Sequence, residues 1–299
     1  MNADETLTWR RLWVETTGRL GDAVPARWLV EEVSGLEGDE WTTDLDERAT
    51  ALAVARLDGL VRRRLAGEPL QYVLGHWAFR HLDLLVDRRV LIPRPETELV
   101  AEVAIEHARK RLAEQRPITI VDLGTGSGAV ALSVVSELPP DAVEMWAVDS
   151  ARDAVDVTRA NLAGLSSRHG RNVRVVEGSW FTALPVMLRE RVDVVVANPP
   201  YVADHEELPS EVEAWEPAAA LRAGPTGLEC YEQIVPDAAR WLAPGGVLVC
   251  ELGARQGPAV TALAQTAGFA TVEVLPDLAG HDRVFVARRP QTVASVTQA

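Results

Sequence analysis

The stretch Ile118-Thr119-Ile120-Val121-Asp122-Leu123-Gly124-Thr125-Gly126-Ser127-Gly128 decides the fold. An apolar, β-branched run is the pattern of a buried strand, and glycines at alternate positions make a turn whose backbone a ligand can approach closely. Such a turn opens onto a helix N-terminus, here expected over 128–137. The pattern then repeats along the chain. Strands are predicted over 118–122, 144–149, 173–176, 192–197, 247–251, 271–275 and 283–287. Further helices are predicted over 151–163, 229–242 and 256–267. This alternation predicts an α/β domain, a mostly parallel sheet covered by helices on both faces.

Ligands of such sheets bind outside the carboxyl ends of the strands, so the strand ends carry the function. The second strand ends in Asp149, 21 residues after Gly128, where an acid accepts from both hydroxyls of a ribose. Gly124-x-Gly126-x-x-Ala129 fits S-adenosylmethionine and a nicotinamide dinucleotide equally well. The third strand ends near Gly178-Ser179-Trp180-Phe181, an apolar and aromatic surface for an adenine. The fourth ends in Asn198-Pro199-Pro200-Tyr201. Two prolines fix the backbone and remove two donors, so nearby carbonyls are left to accept. Asn198 adds a side-chain amide and Tyr201 a flat ring. Together they form a clamp for a planar group bearing –NH2. A hydride transfer has no use for that clamp, whereas a methyl transfer must aim an acceptor lone pair, so the combination points to methyl transfer.

Upstream, residues 1–75 read as a small helical bundle. Leu7, Trp9, Leu12, Trp13 and Leu20 recur at helical spacing, as do Val54, Leu57, Leu60, Val61 and Leu65. The tryptophans read as core. Residues 76–93 alternate as a β-hairpin linker with its turn at Asp87-Arg88-Arg89, and Pro95, Glu96 and Glu98 suit the start of a helix running to about Ala113. The catalytic domain is expected over 94–289 and a disordered tail over 290–299.

The chain of 299 residues carries a net charge of −14, which argues against unaided binding to nucleic-acid phosphates. No apolar stretch reaches the length of a membrane span. Cys230 and Cys250 lack metal-ligand spacing and read as small core residues, so no metal is expected and the compartment is read as the cytoplasm. Oligomeric state is not legible.

Several separate stretches resemble one family, the release factor glutamine methyltransferases (PrmC/HemK). They are Gly67-Glu68-Pro69-Leu70-Gln71-Tyr72 running into Gly75 and Phe79, Leu91-Ile92-Pro93-Arg94-Pro95-Glu96-Thr97-Glu98-Leu99-Val100, Asp122 to Gly128, Ala147-Val148-Asp149, and Asn198 to Tyr201. The first two are not shared by methyltransferases at large and make the resemblance specific. It implies a Rossmann-like class I S-adenosylmethionine-dependent methyltransferase sheet whose last strand is antiparallel, joined by a hairpin to the helical bundle. It implies N5-methylation of the glutamine in the Gly-Gly-Gln motif of class I peptide chain release factors, with S-adenosyl-L-homocysteine as product. Gly124, Thr125, Gly126, Ser127 and Gly128 would carry the cofactor loop, Asp149 the ribose acid and Trp180 the aromatic position near adenine. Asn198, Pro199, Pro200 and Tyr201 would carry the glutamine site, with Asn198, Pro199 and Tyr201 acting in catalysis and Asn198 also bordering the cofactor. Many relatives have an acid where this chain has Ser179, which leaves the adenine amino contact open, with Glu177 nearby in sequence. Two other readings stand beside this one: an adenine-N6 DNA methyltransferase, whose substrate presents the same planar amine, and a non-catalytic S-adenosylmethionine-binding protein.

Overall fold

The computed structural model describes residues 7–114 and 117–291. The chain divides into two compact units, one of residues 1–76 with 209–215 and the other of 77–208 with 216–299. The expected tail over 290–299 lies, from 292 on, outside the described residues.

The first unit is helical. Helices α1 (Trp9–Leu20), α2 (Ala23–Ser34), α3 (Glu40–Thr43), α4 (Ala51–Leu65) and α5 (Leu70–Leu74) follow one another. Thr8, Asp22 and Thr50 cap α1, α2 and α4 by accepting from backbone N–H groups in the first turn. Trp9, Leu12, Leu57 and Val61 are buried, as the helical spacing predicts, and Leu29, Val30 and Trp41 complete the core, whereas Leu65 of the same spacing is exposed. Trp13 packs edge-on against Trp41, with ring centroids 5.4 Å apart. Trp28 differs from the expectation of buried tryptophans, being 37% exposed. The turn after α4 is held by Arg63, which pairs with Glu68 and donates to the Tyr72 and Val73 carbonyls. Gly67 allows it by taking φ 90°.

The second unit begins with a hairpin, β1 (His76–Phe79) and β2 (Leu82–Leu85). The reversal is at Arg80-His81, with Arg80 at φ 53°, and not at Asp87-Arg88-Arg89, which forms a later turn. Val90 to Ile92 is not a strand. The turn carries no glycine or asparagine because tertiary bonds hold it. The Arg80 side chain pairs with Glu102 and Glu137, and its backbone N–H donates to Glu98.

Next come α6 (Thr97–Glu114), β3 (Ile118–Leu123), α7 (Ala129–Glu137), β4 (Val143–Asp149), α8 (Arg152–Gly164), the short α9 (Ser167–Gly170), β5 (Val173–Glu177) and β6 (Val192–Ala197). A short parallel pair, β7 (Val202–Ala203) and β8 (Arg222–Gly224), flanks α10 (Ser210–Trp215), and none of these three was expected. Then follow α11 (Glu229–Trp241), β9 (Leu242–Glu251), α12 (Gly257–Thr266), β10 (Thr271–Pro276) and β11 (Asp282–Arg288). The large sheet has the order β10-β11-β9-β6-β3-β4-β5. Strands β5, β4, β3, β6 and β9 are parallel, while β11 runs antiparallel to both its neighbours.

Side chains alternate between two cores, as the period of two requires. Ile118, Ile120, Met145, Val194, Val196, Val247 and Val249 face α6 and α7. Val121, Leu123, Val148, Val195, Ala197, Leu248 and Cys250 face α11 and α12. Strand order reverses between β3 and β6, and their carboxyl ends lie side by side, with Leu123 in register with Ala197. A cleft opens at such a reversal. Both cysteines are buried and unbridged, and burial raises their thiols, Cys230 to about 11. Among the described residues no helix is long and apolar enough to cross a membrane.

Candidate functional site

Two hollows meet at the sheet's reversal point. The larger, about 360 Å³, is lined by Gly124, Gly126, Asp149, Trp180, Asn198 and Pro200, among others. The smaller, about 50 Å³, is lined by Asn198, Pro199, Tyr201, Arg94 and Glu251, among others. Asn198 borders both.

The glycine loop is built from the strand outward. Gly124 and Gly126 take φ 73° and 58°, which L side chains rarely adopt. A Cβ on Gly124 would sit 3.6 Å from the Trp180 ring and 3.9 Å from the Asn198 carbonyl oxygen. Asp149 holds the loop's far side: Oδ2 accepts from Gly126 N–H and Oδ1 from Ala151 N–H, each at 2.9 Å. Burial raises its carboxyl above the usual carboxylate range, and these backbone bonds oppose the rise. Thr125, Ser127 and Gly128 do not line either hollow. Thr125 turns inward, its hydroxyl donating to Asp122 Oδ2 at 2.7 Å. Asp122 is fully buried, and desolvation pushes its carboxyl up to about 7. Gly128 faces Thr158 and Leu132, which a Cβ would approach to 3.0 and 3.1 Å. Ser127 offers its carbonyl to Asn161 Nδ2 at 2.8 Å. Asn161 also exchanges two bonds with the Leu85 backbone and so ties the hairpin to the loop. Its place in an amphipathic helix gave no sequence signal of that.

Trp180 opens a 3₁₀ turn at φ 47° and donates from Nε1 to Gln233 Oε1 at 3.2 Å. Gly178 permits the turn, since a Cβ there would lie 2.5 Å from that of Ala183. Glu177 does not reach the cleft, being exposed and directed toward Arg152 at 3.3 Å. Ser179 and Gln233 do line it.

The clamp follows β6 directly. Among the described residues no protein group donates to the Pro199 carbonyl. Asn198 Nδ2 donates to Thr97 Oγ1 at 3.1 Å, and that hydroxyl donates to Glu251 Oε2 at 2.6 Å. Tyr201 directs its hydroxyl toward Glu251 Oε1 at 3.4 Å, and burial with the neighbouring acid pushes the phenol up to about 12. Glu251 is 2% exposed, and desolvation raises it above the ordinary range against Thr97, Arg283 and Tyr201. Gln256 Nε2 supports the clamp from behind by donating to the Tyr201 and Gly227 carbonyls, each at 2.9 Å. The loop at His205 to Glu207 is held by Arg222, which donates to the Ala203, Asp204 and Glu206 carbonyls. Buried Glu216 accepts from the Ile92 N–H at 3.1 Å and pairs with Arg94, fixing the start of the 91–100 stretch beside the small hollow. His281 to Arg283 is not a plain turn, because Asp282 and Arg283 open β11 and Arg283 lies 4.0 Å from Glu251.

The Gly124 cradle, the ribose-type acid and the volume of the larger hollow fit a nucleoside cofactor, hollows of this size being ordinary for such ligands. Comparison with known proteins agrees. The PrmC N-terminal domain family matches residues 14–75, and the methyltransferase small domain family matches residues 101–220. The catalytic domain of hMettl16 is alike in fold alone, at 15% identity and a TM-score of 0.52 over 83% of this chain and 84% of that one. The release factor glutamine methyltransferase of Moorella thermoacetica is 41% identical over 82% of this chain and 83% of its own length. That of Gloeobacter violaceus is 40% identical over 89% and 90%. That of Caulobacter vibrioides is 34% identical over 93% and 96%. By likeness over nearly its whole length, the chain belongs to the release factor glutamine methyltransferase family.

Proposed function

We propose that this protein methylates N5 of the glutamine side chain in the Gly-Gly-Gln motif of class I peptide chain release factors. The clamp at Asn198 to Tyr201, opening onto a hollow of nucleoside size, is the observation that carries the reading. The family supplies the substrate class. S-adenosylmethionine supplies an electrophilic methyl group and leaves as S-adenosyl-L-homocysteine.

Gly124 and Gly126 let the cofactor approach the loop backbone, Asp149 takes its ribose hydroxyls and Trp180 packs against its adenine. Ser179 and Gln233 line the hollow with Trp180 and would meet the adenine amino group. Asn198 Oδ1 accepts one amide N–H of the substrate and the Pro199 carbonyl the other. Two acceptors on one nitrogen fix its plane and stabilise positive charge as it develops there. Pro200 holds the carbonyls in place, and Tyr201 covers the amide and excludes water. No general base is required while the new bond forms, because the proton can leave afterwards. The helical unit docks the release factor, in the cytoplasm where such a substrate resides.

The test is peptide mapping of a release factor incubated with the protein and S-adenosylmethionine. One added methyl on the Gly-Gly-Gln glutamine is expected. An adenine amino group offers the same two N–H groups, so DNA is offered alongside. Methyl on DNA, or on neither, refutes the reading.

A further inference from the structure

We propose that Thr97 and Glu251 are positioning residues that set which end of the Asn198 amide faces the cleft. The inference rests on the glutamine-methylating reading above and adds to it the residues that make the clamp accept hydrogen bonds.

An asparagine amide has two ends of nearly equal size, and turning it over exchanges an acceptor for two donors. A clamp for –NH2 works only with the oxygen outward. Nothing in Asn198 itself chooses. The choice is imposed from behind. Glu251 is buried at the end of β9, and in its ionised form the carboxylate can only accept. Thr97 Oγ1, also buried, has one hydrogen and commits it to Glu251 Oε2 at 2.6 Å. The hydroxyl then has only lone pairs left for Asn198, 3.1 Å away, so the amide must turn Nδ2 inward and Oδ1 toward the cleft. Polarity passes from carboxylate to hydroxyl to amide. The same carboxylate lies 3.4 Å from the Tyr201 hydroxyl through its other oxygen, so one acid orders both side chains of the clamp. Arg283 at 4.0 Å, and Tyr231 donating to the Glu251 carbonyl at 2.8 Å, keep the acid in place. This accounts for a threonine inside the 91–100 stretch, at the first residue of α6.

The test compares parent, Thr97→Val and Thr97→Ser on a release factor with S-adenosylmethionine. Thr97→Val keeps the shape and removes the hydroxyl. Its kcat is expected to fall on the order of 10²-fold, the scale of a misplaced reacting group, while KM for the release factor and cofactor affinity by calorimetry stay at the parent values. Thr97→Ser restores the hydroxyl and most of the rate. Thr97→Val at the parent kcat refutes the relay alone. Thr97→Ser as slow as Thr97→Val, with cofactor still bound, also refutes it. No methyl transfer by the parent refutes the glutamine reading and the relay with it.

Discussion

Replacing Asp149 by asparagine probes the cofactor end of the cleft with almost no change of shape. Each carboxylate oxygen already accepts one backbone N–H, from Gly126 and Ala151, at 2.9 Å. Each retains a lone pair for a ribose hydroxyl. Asparagine has one oxygen, so one hydroxyl loses its acceptor and one backbone N–H meets an –NH2. A hydrogen bond to a charged group is worth about 1.5–3 kcal/mol, and weakening the second to a neutral acceptor costs about 1 kcal/mol more. The sum is about 2.5–4 kcal/mol, or roughly a 10²–10³-fold rise in Kd. Isothermal titration of parent and Asp149→Asn with S-adenosylmethionine reads this directly. Ala151 is exposed, so water can satisfy its N–H, and a melting scan should show the variant folded. An unchanged Kd in a folded variant would remove Asp149 from the cofactor site. Burial raises this carboxyl, so parent affinity should also weaken as pH falls through a pKa above the usual carboxylate range.

Asn198→Ala should bind S-adenosylmethionine as the parent does but lose about 10²–10³ in kcat, the usual scale for one electrostatic partner of the reacting group; near-parent turnover in a methyl-transfer assay would disprove the clamp. Gly128→Ala forces a side chain to φ 85° and to 3.0 Å from Thr158, so scanning calorimetry should show a loss of about 2 kcal/mol and a Tm lower by about 4–8 °C. Gly126→Ala, with nothing within 4 Å of its Cβ, should lose less. The kcat–pH profile should carry an acid limb above the ordinary glutamate range, because Glu251, faced by Thr97, Tyr201, Arg283 and Glu96, is raised by burial and on protonation ceases to demand the Thr97 hydrogen. In Glu251→Gln that limb should vanish.

The parallel core was legible because each strand buried on both faces writes itself as a short apolar run, and the glycine loop because positive φ needs glycine. What stayed hidden depends on contacts remote in sequence. Arg80 turns the hairpin with an ordinary side chain because Glu98, Glu102 and Glu137 hold it there, so its sequence carries no turn signal to compete with 87–89. Residues 209–215 belong to the helical unit, where Glu211 pairs with Arg64 at 2.6 Å, although the sequence places them amid the catalytic domain. Glu177 is close in sequence to Ser179, but it ends β5 on the exposed side, as the alternation of a strand allows. Thr97 and Glu251 are 154 residues apart, and each alone reads as a helix-start hydroxyl or a strand-end acid.

The hydrogen-bond polarity of the clamp narrows its substrate further than the four residues do by name. Pro199 and Pro200 have no N–H. The Asn198 amide spends a donor on Thr97, and the Tyr201 hydroxyl points its donor at Glu251. With the amide turned as proposed, the clamp's own groups left toward the cleft are acceptors, Asn198 Oδ1 and the Pro199 carbonyl. A carboxylate placed there would set lone pairs against lone pairs in a buried site, and a hydroxyl could satisfy only one acceptor. Leaving a buried polar group unpaired costs about 1–3 kcal/mol, and more when charged. On the proposed reading the clamp is therefore expected to favour a nitrogen carrying two hydrogens over the glutamate that deamidation of the same side chain would produce. On that reading the selection rests on the clamp's two acceptors, with Arg94, which also borders the small hollow, held by its pairing with Glu216.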